Sequence, residues 1–318
     1  MTNRATGAFY WGVLAFVQVH TGQGRDSLLS GRRAAALAQE SKDVWTPIIS
    51  TTSLTASLLD AGAYEEALLL TQHASASACT LPSAPVLRLF LIVRGSTYQA
   101  LQQWEEARSI LAEVVALEYY DAPVLSQLCM HYVVAGEWEQ AHAYALQAIA
   151  LRKRAGKALI WLDFFPQYEI EALLRAGDEK LVREEVQRLG ARLGANRRFR
   201  VPYLRSLAIL SRWEGKREQA MNHLREAAGL AEEIGLPAEQ WQIQALLGDL
   251  HEAGGELAQA GTAFGKAATI LQRLAEDIKD ETLQARFLAG PQIRPALQHA
   301  QRLATHSITD AHAMPDEC

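Results

Sequence analysis

Cysteine is scarce: the 318 residues hold three, Cys79, Cys129 and Cys318, an odd number lying far apart. That argues against a disulfide framework and suits a reducing cytoplasm. No apolar run approaches the roughly 18 residues that a membrane helix needs. Neither sign of charge prevails, with 31 Lys and Arg against 36 Asp and Glu and a net charge of -5. Without a basic excess, neither nucleic acid nor an anionic membrane is expected as a partner, because phosphate recognition rests on clustered cations. Alternating runs of β-branched and aromatic residues are nearly absent, so strands are not expected either.

What remains is rich in alanine and leucine, with 49% hydrophobic residues overall. Pro and Gly punctuate segments about 12 to 20 residues long, the composition of packed helices. The stretch Ala8 to Val19 follows Arg4 and faintly resembles a secretory leader. It carries Tyr10, Trp11, Gly12 and Gln18, and no small-x-small cleavage site follows. It is better read as the first helix of the array described next.

One phrase recurs along the chain. It comprises a Gly-containing turn, an aromatic or polar residue two positions on, acidic residues and then alanine. It reads Gly62-Ala63-Tyr64-Glu65-Glu66-Ala67, then Gln102-Gln103-Trp104-Glu105-Glu106-Ala107, then Gly136-Glu137-Trp138-Glu139-Gln140-Ala141. Further copies are Gly215 to Ala220 and Gly255 to Ala260, with weaker ones at Gly22 to Ser27 and Gly177 to Val182. Their last residues are 27, 67, 107, 141, 182, 220 and 260, separated by 40, 40, 34, 41, 38 and 40. So constant a period marks a stack of helical hairpins.

Each part of the phrase has a physical reason. Glycine ends the first helix in a conformation costly for other residues. The acids enter the first turn of the second helix, where the positive dipole end favours them. The alanine lets the two helices approach closely. Leu111, Leu224 and Phe264 follow it by four residues, and Ala74, Ala148, Ala227 and Ala267 by seven, continuing one apolar stripe.

The first helices carry matching residues: Trp11 with Leu14, Gly95 with Tyr98, and Leu247 with Gly248. These fit the Trp-x2-Leu-Gly-x2-Tyr signature, and over roughly residues 7 to 275 the chain resembles the tetratricopeptide repeat family. Periods near 40 and inserts such as Ile234-Gly235-Leu236-Pro237 resemble the long-period arrays of bacterial signalling ATPases of the maltose-regulator type. Asp280 to Ala289 resembles the helix that closes such arrays. The ATPase module and helix-turn-helix of full-length regulators are not found in the 318 residues, and the fifth repeat is irregular, with Pro166 inside its first helix and Val182 in place of the alanine.

The resemblance implies an all-α, right-handed superhelical solenoid of about seven hairpins, because each hairpin exposes an apolar face that only its neighbour can cover. Fourteen repeat helices, a capping helix at 281–303 and a disordered tail over 305–318 are expected, with 1–304 as one unit. It further implies that the first helix of each pair lines the inner groove. That mapping turns Ser96, Gln99, Gln167, Glu171, Arg205, Arg212, Gln242 and Asp249 inward, a mixed set suited to a polar, extended partner.

Several apparent motifs dissolve on inspection. Gly261 to Lys266 mimics a phosphate loop, but Ala267 stands where the metal-binding Ser or Thr belongs. Gly22-Gln23-Gly24 mimics a dinucleotide loop whose third glycine is Ser27. Cys129 and His131 point to different faces of a helix, so no metal is expected. The doublets Glu65-Glu66 and Glu105-Glu106 recur with the repeat, as catalytic carboxylates need not. Two features stand outside the repeat. Arg197, Arg198 and Arg200, with Arg192 and Arg205 nearby, form a candidate patch for an anion or acidic partner. Trp161, Asp163, Phe164, Phe165 and Tyr168 surround the irregular Pro166 as a candidate pocket.

The expectation is therefore a non-enzymatic, cofactor-free binding scaffold in the cytoplasm. Its groove takes a peptide, a protein segment or a small signalling ligand. The alternative is the effector-sensing array of a larger ATP-dependent regulator, with a regulatory ATPase as partner.

Overall fold

The repeat phrase translates into the same turn seven times. At Gly22, Gly62, Gly136, Gly177, Gly215 and Gly255 the backbone takes φ between 73° and 87°, and Gln102 takes 61°. The residue after each turn donates its N–H to the carbonyl five positions back, as Gln103 does to Tyr98 at 2.8 Å and Glu137 to Tyr132 at 2.8 Å. This is the bond that satisfies a helix end when the next residue is left-handed. Only at Gln102 does a residue with a Cβ accept that conformation, at the third hairpin.

The computed structural model describes residues 4–41, 45–80, 83–116, 122–155, 165–194 and 196–312. Among them are sixteen helices and no strand. The first three hairpins are α1 (Arg4–Thr21) with α2 (Gly24–Ala38), α3 (Trp45–Ala61) with α4 (Tyr64–Cys79), and α5 (Ala84–Ala100) with α6 (Trp104–Ala116). Next come α7 (Ala122–Ala135) with α8 (Trp138–Ala155), and α9 (Pro166–Arg175) with α10 (Glu179–Leu193). The last two are α11 (Arg197–Trp213) with α12 (Arg217–Ile234), and α13 (Pro237–Ala253) with α14 (Leu257–Glu276). Two more helices, α15 (Glu281–Leu288) and α16 (Ile293–His312), close the array.

Packing follows the phrase. Its last residue is fully buried in every copy: Ser27, Ala67, Ala107, Ala141, Val182, Ala220 and Ala260 each show 0% exposure. Four positions further on, Leu111 seats against Gly95 and Phe264 against Gly248 of the partner helix. At Gly248 a Cβ would lie 2.6 Å from the Phe264 ring, so the smallest residue there lets α14 seat on α13.

The array does not stay open. Tyr64, Leu68 and Leu101, from the turns and ends of hairpins two and three, share one core with Trp241, Leu271, Leu274, Phe287 and Ile293. The Tyr64 and Phe287 rings lie 6.0 Å apart. The Glu65 carboxylate accepts the backbone N–H groups of Lys279 and Asp280 at 2.5 and 3.1 Å. The two ends meet, and the groove expected from the repeat becomes a half-open chamber.

Three expectations change in detail. The capping helix expected at 281–303 is two helices, because Pro291 cannot donate to a helix and holds Gly290 out of it. The second of them continues to His312, through the first part of the segment expected as a disordered tail, while 313–318 lie outside the described residues. Pro166 occupies the first turn of α9 rather than its interior, a position where its missing N–H costs nothing.

Candidate binding chamber

The first helix of each hairpin turns one face inward, and the seven inward faces surround a half-open cavity of about 210 Å³. That far exceeds the ~10–15 Å³ that one water requires. Phe16 and His20 come from α1, and the His20 Nδ1 lies 2.7 Å from the Phe16 carbonyl oxygen. Ser96 and Gln99 come from α5, Gln127 and Met130 from α7, and Gln167 and Tyr168 from α9. On the far side stand Arg198 and Arg205 of α11 and Glu239, Trp241 and Gln242 of α13, with Phe287 and Gln292 of the closing segment.

The wall contains a buried chain of charges. Arg198 donates from Nη2 to Asp60 of α3 at 3.2 Å, and its Nη1 lies 3.5 Å from Glu239. Arg205 donates to the other oxygen of Glu239. Two cations and two anions thus neutralise one another across hairpins two, six and seven. Burial holds the Asp60 carboxyl above the usual carboxylate range, against the opposing pull of Arg198. Burial likewise raises the phenols of Tyr64 and Tyr168. The Tyr168 hydroxyl lies 3.4 Å from Gln242 Oε1 and 3.5 Å from Gln292 Nε2.

A second buried group braces this wall from behind. Glu169 accepts from Ser126 Oγ at 2.5 Å and from Arg152 Nη1 at 3.0 Å, tying α7, α8 and α9 together. It fixes α9 so that Gln167 and Tyr168 face the chamber. Beside it, burial holds the Cys129 thiol well above its ordinary range, which keeps it protonated and unreactive.

The amides form the remaining polar surface. Gln99 donates from Nε2 to the Gln127 carbonyl at 3.1 Å, and Gln127 donates from Nε2 to Ser96 Oγ at 2.9 Å. The Oε1 atoms of Gln99, Gln127 and Gln167 are buried and meet no hydrogen-bond partner among the described residues. A buried acceptor left unpaired costs about 1–3 kcal/mol.

Of the eight residues mapped inward from the sequence, Ser96, Gln99, Gln167, Arg205 and Gln242 line the chamber. Glu171, Arg212 and Asp249 do not. Glu171 pairs with Arg175 at 3.4 Å, and Arg212 and Asp249 are exposed near the C-terminal ends of their helices, beyond the chamber. Arg197, Arg198 and Arg200 do not share a patch. Arg197 pairs outside with Glu233, Arg200 pairs outside with Glu226 at 2.5 Å, and Arg198 is buried in the wall. Successive helical positions point in different directions, so neighbours in sequence part company. Trp161, Asp163 and Phe164 lie outside the described residues, whereas Phe165 and Tyr168 reach the chamber.

The sequence did not single out Asp60, Gln127 or Glu239. Asp60 left one signal: an acid in the last turn of a helix opposes the dipole, a broken local rule of the kind that marks a site. Glu239 left none, because an acid in a first turn is ordinary.

No family model and no curated protein matches the chain. Among solved structures it is similar to the crystal structure of Rap protein complexed with competence and sporulation factor. The TM-score is 0.56 at 12% identity, over 93% of this chain and 85% of that one. It is similar also to the crystal structure of the APC/C hetero-tetramer Cut9–Hcn1. There the TM-score is 0.56 at 16% identity over 92% of this chain, which spans about half, 54%, of the chain matched. A tetratricopeptide repeat protein from Parabacteroides merdae ATCC 43184 aligns with a TM-score of 0.46 at 14% identity, over 89% of this chain and 98% of that one. At these identities the likeness to the first two is one of fold, an all-α helical repeat array. Among the described residues no helix is long and apolar enough to cross a membrane, and no group of three or more His, Cys, Asp or Glu is placed to hold a metal ion.

Proposed function

We propose that the chain is a non-enzymatic binding scaffold of the cytoplasm that takes a ligand into the chamber surrounded by its first helices. One observation carries this reading: side chains from all seven hairpins converge on a single cavity of about 210 Å³ that combines aromatic faces with a few placed polar groups. That combination is the usual make-up of a ligand site. The ligand is a small signalling molecule or the anchoring side chains of a peptide or protein segment. The Rap protein structure, of the same fold, holds a competence and sporulation factor, which is in keeping with such a role here.

The test is to block the chamber without touching its charges. Ala56, on α3, lines the cavity, and Ala56→Trp fills it. The full chain and this variant are each purified from lysate of the source cell, and bound masses are read by native mass spectrometry. A partner or ligand retained by the parent chain and lost in a variant of unchanged helicity supports the reading. Equal retention by both would overturn it.

A second form makes the chain the effector-sensing array of a maltose-regulator-type ATP-dependent regulator, with a regulatory ATPase as partner. The Arg198–Asp60 link favours it, because one ion pair joins the chamber wall to the seam between the two ends of the array. An ATPase retained only when the chamber is free to fill would support this form.

A further inference from the structure

We infer that the outer face of α1 is a docking surface for a helix of a partner protein, one that presents two small residues four positions apart. This surface is separate from the chamber, which on α1 is lined by Phe16, Val19 and His20, whereas the docking face carries Tyr10 and Leu14.

Corresponding positions of the seven hairpins differ in one place. Tyr10 stands twelve residues before the turn at Gly22, and Leu14 stands eight before it. In no later hairpin is either position exposed. The counterparts of Tyr10 include Ser50, Phe90, Val124 and Ile243, each at most 1% exposed. Those of Leu14 include Leu54, Leu128 and Leu247, each at most 6% exposed. Tyr10 itself is 69% exposed and Leu14 is 41% exposed. Hairpin one thus keeps apolar side chains where later hairpins bury theirs, and among the described residues no helix covers them.

The internal interfaces show what fits such a face. Each counterpart is covered from the second helix of the preceding hairpin, which brings small residues four apart. Gly31 and Ala35 of α2 lie beside Leu54, and Ala74 and Ala78 of α4 beside Phe90. Ala227 and Ala231 of α12 lie beside Ile243 and Leu247. The fit is close, since a Cβ on Gly31 would lie 3.1 Å from Leu54. Large residues of one helix enter the space that small residues of the other leave open. The face of α1 continues this series of interfaces and supplies its large half.

A second copy of the chain does not supply the small half. Pairing α1 with α1 would set Tyr10 and Leu14 against their own equivalents. The far end of the array is already covered, with Leu303 of α16 lying 3.6 Å from a Cβ on Gly261. Beyond it α16 exposes Arg294, Gln298, Gln301 and Arg302, a polar surface. The stretch from Ala5 to Gly24 holds no Asp, Glu, Lys or Arg, so the matching stripe is uncharged, and an anionic lipid surface would find no cation there. The occupant is therefore a partner's amphipathic helix with an Ala or Gly stripe.

The segment Arg217–Ile234 is a ready probe, because it is one of the helices that fills this role inside the array. It is made as a fluorescein-labelled peptide held helical by a lactam bridge, and its binding to the full chain is read by fluorescence anisotropy. The peptide should bind, and its Ala227→Leu, Ala231→Leu form should bind at least roughly tenfold more weakly, the factor that overpacking a close contact costs. Tyr10→Glu in the chain should abolish binding with helicity unchanged, and Leu14→Glu serves the same purpose if the first variant melts early. Ala56→Trp should leave it unchanged, so that loss of the chamber reading and loss of this one remain distinguishable. No binding, equal binding of the two peptides, or binding indifferent to both Glu variants would overturn the proposal. So would a dimer in sedimentation velocity that Tyr10→Glu disperses, which would give the face to a second copy. Flotation with vesicles of phosphatidylcholine and phosphatidylglycerol, lost in the same variant, would give it to a lipid surface and overturn the proposal as well.

Discussion

Arg198 and Arg200 stand two residues apart on α11, yet they belong to different chemistries. Arg200 lies on the outer face, half exposed, 2.5 Å from an equally exposed Glu226. Arg198 is buried in the chamber wall between Asp60 and Glu239. The same contrast separates the two faces of the whole array. Outside, Arg183 pairs with Glu179 of its own helix and with Glu214 of the next hairpin, and sits half exposed in water. Inside, the buried Arg198 reaches Asp60 across 138 residues as well as Glu239 of the next hairpin, and a lost partner there leaves a charge largely removed from solvent. An ion pair is thus a minor ornament on one face and a structural commitment on the other, because the cost of an unpaired charge depends on the medium around it.

Breaking the inner chain gives the largest expected effect. Arg198→Met leaves Asp60 without its cation and should destabilise the fold by about 3–5 kcal/mol, read as a shift of the chemical denaturation midpoint. Asp60→Asn should cost clearly less, since Arg198 keeps Glu239. Equal effects from the two would show that the chain does not act as one unit.

Alkaline pH attacks the same region from another side. The folded pKa values of Tyr64 and Tyr168 lie above their free value of 10.0 because burial disfavours phenolate. The protonated phenol is the form the fold holds more tightly, so this contribution is full below about pH 10 and lost as pH rises through the folded values. Phenolate absorbance from these two residues should therefore appear only together with loss of helical circular dichroism, and early, non-cooperative titration would contradict the burial of Tyr64 in the seam and Tyr168 in the chamber wall. On the outer face the sign reverses. Hydrogen bonding from Arg302 lowers the Glu252 carboxyl, so whatever it contributes persists above 4.5 and fades as pH falls.

A steric change at the seam should come third. A Cβ on Gly290 would meet the Gln102 side chain at 2.4 to 2.8 Å. Gly290→Ala is expected to cost about 1–3 kcal/mol, and Gln102→Gly should relieve most of that in the double variant. A cycle with no coupling would show that hairpin three and the closing helices do not touch. The smallest effect belongs outside, where Arg200→Ala should change stability by less than about 1 kcal/mol. A larger loss in thermal melts would erase the distinction between the faces.

The outer architecture was legible because it repeats. Seven turns, seven buried small residues at 27, 67, 107, 141, 182, 220 and 260, and the helices around them follow from a pattern present many times over. The chamber was legible only in part. Ser96, Gln99, Gln167, Arg205 and Gln242 follow from the rule that first helices face inward. Glu171, Arg212 and Asp249 obey the same rule but lie past the depth at which the chamber closes, and that depth is no property of any one repeat. Gln127 was missed because a glutamine among apolar neighbours carries no signal of its own.

The hairpin is written locally in the chain, since its turns, its small contacts and its apolar stripe are interactions between residues less than about one repeat apart. The meeting of hairpins one to three with hairpins six and seven and the closing helices arises only when the whole array packs. That meeting depends on small rotations between successive hairpins, each set by many packed side chains and added over the length of the array. Asp60 finds Arg198, and Glu65 finds the backbone of Lys279, across 138 and 214 residues. No periodic pattern records a contact made once, so the chamber exists only in the folded whole.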